Sequence, residues 1–260
     1  MKKLTVFCAA ACLAASAAAQ NHPDLHEVLD RQKGRNLIEI PKGTYTLDVR
    51  SNGPYKFHNL TDVHINGNGS TVICNNQEQA FSFYNCVRVE LRDLTIDYDP
   101  LCFTQGEITA VAEDGSWFDV RIDEGYPVTG LAANRVQFYD PQTRLLKRNS
   151  ITTYTSNYSA LKQLGHNLFR AVKNGTWSAG EQVGDLVVMD VKTDKPNAGV
   201  HTIMLNKCYN TKLENVTVYG SNTFSFFEKE GYANEYKNCV VDRGPMPQGI
   251  APRLRSGNAD

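Results

Sequence analysis

The sequence predicts an all-β protein: a solenoid of short parallel strands, that is a parallel β-helix, with an inserted antiparallel β-domain. Three observations predict it. Residues 85–96 (NCVRVELRDLTI) recur as residues 207–218 (KCYNTKLENVTV), with a shorter copy at 233–241 (ANEYKNCVV) and an earlier one at 59–67 (NLTDVHING). The copies fall at solenoid spacing, 26 residues from Asn59 to Asn85 and 23 from Asn215 to Asn238. Each copy alternates apolar and polar residues and none is long enough for a helix, so the coils are built from strands. Between residues 99 and 197 the repeat stops and hairpin signals replace it.

The chain opens on a targeting pattern. Lys2 and Lys3 precede an apolar run over residues 4–15, and small residues at 16–19 precede Gln20. This is the layout of a cleaved signal peptide over residues 1–20, so a secreted or periplasmic protein is expected. The run is too short for a membrane span. A lipoprotein anchored at Cys12 is the rival reading, and it loses because the apolar run continues past Cys12. Cys8 and Cys12 leave with the leader. Cys74, Cys86, Cys102, Cys208 and Cys239 remain, odd in number and without metal-ligand spacing. Buried unpaired thiols fit the strand-like surroundings of Cys86, Cys208 and Cys239. An oxidising compartment permits a disulfide whose partners the spacing does not choose. A formal net charge of −1 gives no electrostatic footprint for nucleic acid or a membrane surface.

Residues 21–98 hold an N-terminal cap and the first coils. Residues 22–32 predict a short helix capped by Asn21, with Pro23 in its first turn and Leu25, Val28 and Leu29 on one face. It covers the end of the strand stack, which a solenoid otherwise exposes. Ile38, Ile40, Tyr45 and Leu47 point inward from two strands bent at Pro41-Lys42-Gly43. This opening resembles the first coil of secreted right-handed parallel β-helices. The Asn-Gly pairs at 66–69 suit positive φ between coil faces. Residues 81–83 and 89–96 supply the next coil.

Residues 99–197 form the insert. Residues 107–111 and 117–122 around Asp114-Gly115 predict a hairpin. Residues 135–139 and 144–146 flank a turn, and 166–172 and 186–191 add antiparallel strands. Residues 198–260 resume the helix. Alternation stacks Leu94, Val216 and Cys239 in the lumen, and likewise Ile96, Val218 and Val241, with Thr95, Thr217 and Val240 outside. The last residues read as an incipient strand and turn with no cap. An open strand edge is one that native proteins avoid, so the resumed coils are expected to be truncated and the chain to be the N-terminal part of a longer protein.

Residues 97–108 (DYDPLCFTQGEI), followed by a β-insert and resumed coils, resemble bacterial secreted β-helix glycosidases. The nearest resemblance is to glycoside hydrolase family 110, the α-1,3-galactosidases. Residues 252–260 (PRLRSGNAD) are similar to the family segment that leads into its active site. The resemblance implies inverting, exo-acting removal of terminal α-1,3-linked galactose from an oligosaccharide or polysaccharide, with no metal and no other cofactor. By the same resemblance Asp260 matches an acidic residue of the active centre. The family's paired aspartates lie on a later coil that this sequence does not contain, so the active site is expected to be incomplete. Inversion needs a carboxylic acid and a carboxylate about 6.5–9.5 Å apart. Neighbouring coils stack ~4.8 Å apart, so carboxylates on them can straddle one sugar.

Each candidate has a plainer reading. Asp260 is either catalytic or a solvated turn residue. Arg253 and Arg255 share a strand face and are candidates to hold sugar hydroxyls or fix a carboxylate, or are a surface basic pair. Glu228 and Glu230 share one side if extended and are the candidate substrate-binding acids. The adjacent phenylalanines at 224–227 fit core packing better than a sugar platform. Asp242 and Arg243 read as a loop ion pair, and His58, His64 and His201 as structural or exposed. Asp97 and Asp99 fit a turn before the insert better than a calcium site. Two other classes stay open. A β-helix polysaccharide lyase would use basic residues, often with calcium, and the charge balance counts against it. A noncatalytic glycan-binding β-helix would need neither.

Overall fold

The computed structural model describes residues 22–101, 103–147, 158–174, 180–191, 201–221 and 224–242. The leader, Asp260, Arg253 and Arg255 lie outside the described residues. The chain opens with helix α1 (Leu25–Asp30), strands β1 (Leu37–Glu39) and β2 (Thr44–Leu47), and the short helix α2 (Val49–Asn52). Strands β3 (Tyr55–His58), β4 (Thr61–Cys74), β5 (Phe81–Tyr84) and β6 (Val87–Tyr98) follow. The insert holds β7 (Phe103–Val111), β8 (Trp117–Ile122), β9 (Leu131–Tyr139), β10 (Tyr158–Gly165), β11 (Leu168–Lys173) and β12 (Leu186–Val191). Then come β13 (Ile203–Asn206), β14 (Lys212–Tyr219), β15 (Phe226–Lys229), β16 (Glu235–Lys237) and β17 (Val240–Asp242).

The fold is a parallel β-solenoid plus an antiparallel sheet. One parallel sheet runs β1-β4-β6-β14-β16, with β2 also on β4 and β17 also on β14, and a second runs β3-β5-β13-β15. Inward columns cross the coils in register. Ile38, Ile65, Leu91, Leu213 and Tyr236 form one. Tyr55, Phe81, Ile203 and Phe226 form another. Each buried aliphatic or aromatic side chain in such a column contributes about 1.5–3 kcal/mol. The stack runs straight past the insert: Leu94 pairs with Val216 and Ile96 with Val218. Val241 pairs with Val218 as predicted, but it is 37% exposed because no described strand lies beyond it.

The helix cap differs from expectation. Asp24, not Asn21, caps α1, its carboxylate accepting the His26 amide at 2.9 Å. The helix is accordingly shorter, though Leu25 and Leu29 are fully buried on the first coil.

Corners repeat from coil to coil. Left-handed φ values of 51–57° occur at Asn59, Asn85, Lys207 and Glu230, at Asp62, Arg88, Asn210 and Ala233, and at Asp93, Asn215 and Asn238. Such a conformation costs about 1–2 kcal/mol for most L-residues and less for Asn or Asp. Side-chain ladders offset it: Asn85 Nδ2 donates to Asn59 Oδ1 at 2.8 Å, and Asn215 Nδ2 to Asp93 Oδ1 at 2.8 Å. Asn68 and Gly69 have the positive φ expected of them; Asn66 and Gly67 do not. Gly67 is required for space, since a Cβ there would lie 2.4 Å from the Asp93 carbonyl oxygen.

The antiparallel sheet has the order β10-β11-β8-β7-β12-β9. The predicted β7–β8 hairpin pairs Ile108 with Val120. A second hairpin, β10–β11, was not foreseen; it pairs Leu161 with Ala171. Phe118, Val120, Phe138, Val187 and Met189 make a core separate from that of the solenoid.

Candidate functional site

Strand β6 ends where the chain leaves the solenoid. Its alternation buries Leu94, Ile96 and Tyr98 and turns Thr95 and Asp97 to the half-buried outer face. Strand β14 turns Thr217 and Tyr219 to the same face. The pairing of β6 with β14 ends at Thr95–Thr217 and Ile96–Val218; continued by one residue, that register would set Tyr219 beside Asp97. On its other side Tyr219 pairs with Asp242 of β17. On that continued register Asp97, Tyr219 and Asp242 line up as one outer column over three neighbouring strands. The backbones of the two aspartates are two strand spacings apart, about 9.6 Å.

Electrostatics distinguish Asp97. Burial, and to a lesser degree the charge of Asp99, pushes its carboxyl up to about 6, although Oδ1 accepts the Tyr98 amide at 2.7 Å. Burial raises Asp99 as well. The residue between them is an anchor. The Tyr98 hydroxyl lies 2.9 Å from Thr202 Oγ1 and 3.0 Å from the Glu78 carbonyl oxygen, and Thr202 donates to Ser221 Oγ at 2.9 Å. Gln77 Nε2 donates to the Leu101 carbonyl at 3.2 Å. Phe103 closes on Gly220, where an added Cβ would be 3.5 Å from its ring. These contacts fix the root of the insert beside the column. A carboxyl raised to about 6, a second carboxylate and an intervening aromatic ring form a set able to donate a proton in mildly acidic conditions, accept one and hold a sugar face.

The other predicted site residues are not gathered here. Glu228 sits on β15 in an inward column behind Phe57, Phe83 and Leu205. Its Oε1 accepts Asn234 Nδ2 at 2.9 Å and its Oε2 the Tyr236 hydroxyl at 3.3 Å. Glu230 has φ 54° and lies 3.7 Å from Lys207 and 3.5 Å from Lys229. Glu228 and Glu230 therefore do not share one side, because the left-handed residue breaks the alternation. Core packing of the phenylalanines at 224–227 holds for Phe226, which packs on the solenoid core, and is corrected for the other two. Phe224 is 47% exposed, and Phe227 stacks on His201 with ring centres 4.0 Å apart. Asp242 ends a strand rather than sitting in a loop, and Arg243 lies outside the described residues. Its place was available in the sequence. Extending the aligned repeats by one residue reads Asp97, Tyr219, Asp242.

A groove of about 380 Å³ on the insert is lined by Glu107, Thr109, Arg121, Asp123, Glu124 and His166 among others. Two of its acids are engaged: Gln105 Nε2 donates to Asp123 Oδ2 at 3.0 Å and Asn167 Nδ2 to Glu124 Oε2 at 3.3 Å. Among the described residues no group of three or more His, Cys, Asp or Glu side chains is arranged to hold a metal ion. Nor, among them, is any helix long and apolar enough to cross a membrane. No protein-family model matches the chain, and no curated protein matches it.

Proposed function

We propose that the protein is a secreted glycoside hydrolase that removes terminal α-linked galactose with inversion, using the column Asp97–Tyr219–Asp242. One relation supports this most: a carboxyl that burial raises to about 6 lies, on the continued strand register, one tyrosine away from a second aspartate. Inversion asks for such a pair about 6.5–9.5 Å apart, a separation within reach of side chains rooted two strands apart.

Asp97 protonates the departing glycosidic oxygen as its bond to the anomeric carbon breaks. Asp242 takes a proton from the water that attacks the opposite face. The Tyr219 ring carries the apolar face of the sugar, and Thr95 and Thr217 offer hydroxyls to its own. The choice of galactose and of the α-1,3 linkage rests on the family resemblance of residues 97–108 and 252–260. On that resemblance Asp260 belongs to the active centre, and Arg253 and Arg255 just before it are candidates to hold sugar hydroxyls.

The test incubates the full chain with an α-1,3-linked galactoside and follows free galactose. Release supports the reading. New ultraviolet-absorbing unsaturated ends on a uronate polymer would make it a lyase. Glycan binding without turnover would make it a noncatalytic receptor, with the polar groove of the insert as the first place to look.

A further inference from the structure

Two thiols outside the candidate site meet inside the solenoid. The left-handed residues Asn85 and Lys207 turn the chain inward at the same corner of successive coils, and each is followed by a cysteine. Cys86 and Cys208 are both fully buried. Backbone hydrogen bonds hold their coils in register on each side: the Asn85 amide donates to the Asn206 carbonyl at 3.0 Å, and the Tyr209 amide to the Cys86 carbonyl at 2.9 Å. The next residues, Val87 and Tyr209, form a parallel bridge. Both are free thiols here: Cys86 Sγ donates to the Phe57 carbonyl at 3.1 Å and Cys208 Sγ to the Asn206 carbonyl at 3.5 Å. Cys239 belongs to a different column; its Sγ lies 3.5 Å from the Leu213 carbonyl oxygen.

We propose that Cys86 and Cys208 form a disulfide that ties the coil before the insert to the coil after it. Paired strands lie ~4.8 Å apart, inside the Cα separation of about 4.4–6.8 Å that a disulfide spans. The oxidant is a small-molecule or protein disulfide. One cysteine thiolate attacks it, forming a mixed disulfide and releasing one thiol. The other cysteine then displaces the second thiol. Two protein thiols are oxidised to one disulfide, and the donor is reduced to two thiols. Both sulfurs are sealed in the finished lumen, so exchange takes place during folding, before the coils close, and burial afterwards protects the bond from reductant. The closed loop contains the whole insert, and long loops gain most from closure.

The test refolds the reduced full chain in a mixture of oxidised and reduced glutathione, blocks remaining thiols under denaturing conditions and maps the peptides by mass. The expected result is one cross-linked pair joining the Cys86 peptide to the Cys208 peptide, two hydrogens lighter than the separate peptides. Reduction lowers the thermal midpoint by about 10 °C. Cys86→Ser and Cys208→Ser each show that lower midpoint and no longer respond to reductant. Blocked thiols at both positions in the oxidatively refolded wild type, or a cross-link to any other cysteine, overturns the proposal. The peptide map needs no variant to fold.

Discussion

Asp97 shows what a single side chain gives up for position. Its folded carboxyl is raised from 3.8 to about 6, by burial first and by Asp99 second. A raised acid favours the fold while protonated. That contribution is complete below about pH 3.8 and is lost as pH rises through about 6. Asp97→Asn removes the loss. It is expected to be more stable than wild type at pH 7 by about 1–2 kcal/mol, after discounting for solvent contact, and equal to it near pH 3. Urea midpoints at the two pH values check this; a variant less stable at pH 7 would mean that the carboxylate is favourably paired. Two glycines separate space from backbone in the same way. Gly67→Ala drives a methyl into the Asp93 carbonyl and is expected to cost about 2–3 kcal/mol. Gly69→Ala meets open space at φ 71° and is expected to cost about 1–2 kcal/mol. Reversal of that order in thermal denaturation would contradict the close coil approach.

At the scale of strands and corners, Asn215 joins two neighbours. It donates to Asp93 and accepts Asn238 Nδ2 at 3.2 Å while holding φ 54°. Asn215→Ala loses the ladder and strains the corner, at an expected cost of about 1–3 kcal/mol. Asn215→Gly loses the ladder alone and is expected to cost less than Ala. Equal losses would show that the corner is unstrained. The repeated strands and the asparagine corners were legible because their residue types carry the signal. The corners at Arg88, Lys207, Glu230 and Ala233 were not, because nothing intrinsic to those residues favours positive φ; the coil on either side imposes it. Strand β10 was also hidden. Its polar sequence pairs with β11 through main-chain bonds, leaving little apolar alternation to read.

Across the whole molecule the decisive relation is long-range. Leu94 and Val216 touch although an entire antiparallel sheet lies between them in sequence, and the repeat foretold that. The candidate site was only half legible. Its strands were foreseen, but Asp242 falls just after a shortened copy and takes its meaning from Tyr219 and Asp97 on two other coils. The most direct measurement is galactose release from an α-1,3-linked galactoside by wild type, Asp97→Asn and Asp242→Asn, with the product anomer followed by proton NMR. The geometry predicts β-galactose as the first product and a loss of about 100-fold or more in each folded variant. Wild-type turnover by either variant, or α-galactose formed first, would contradict it.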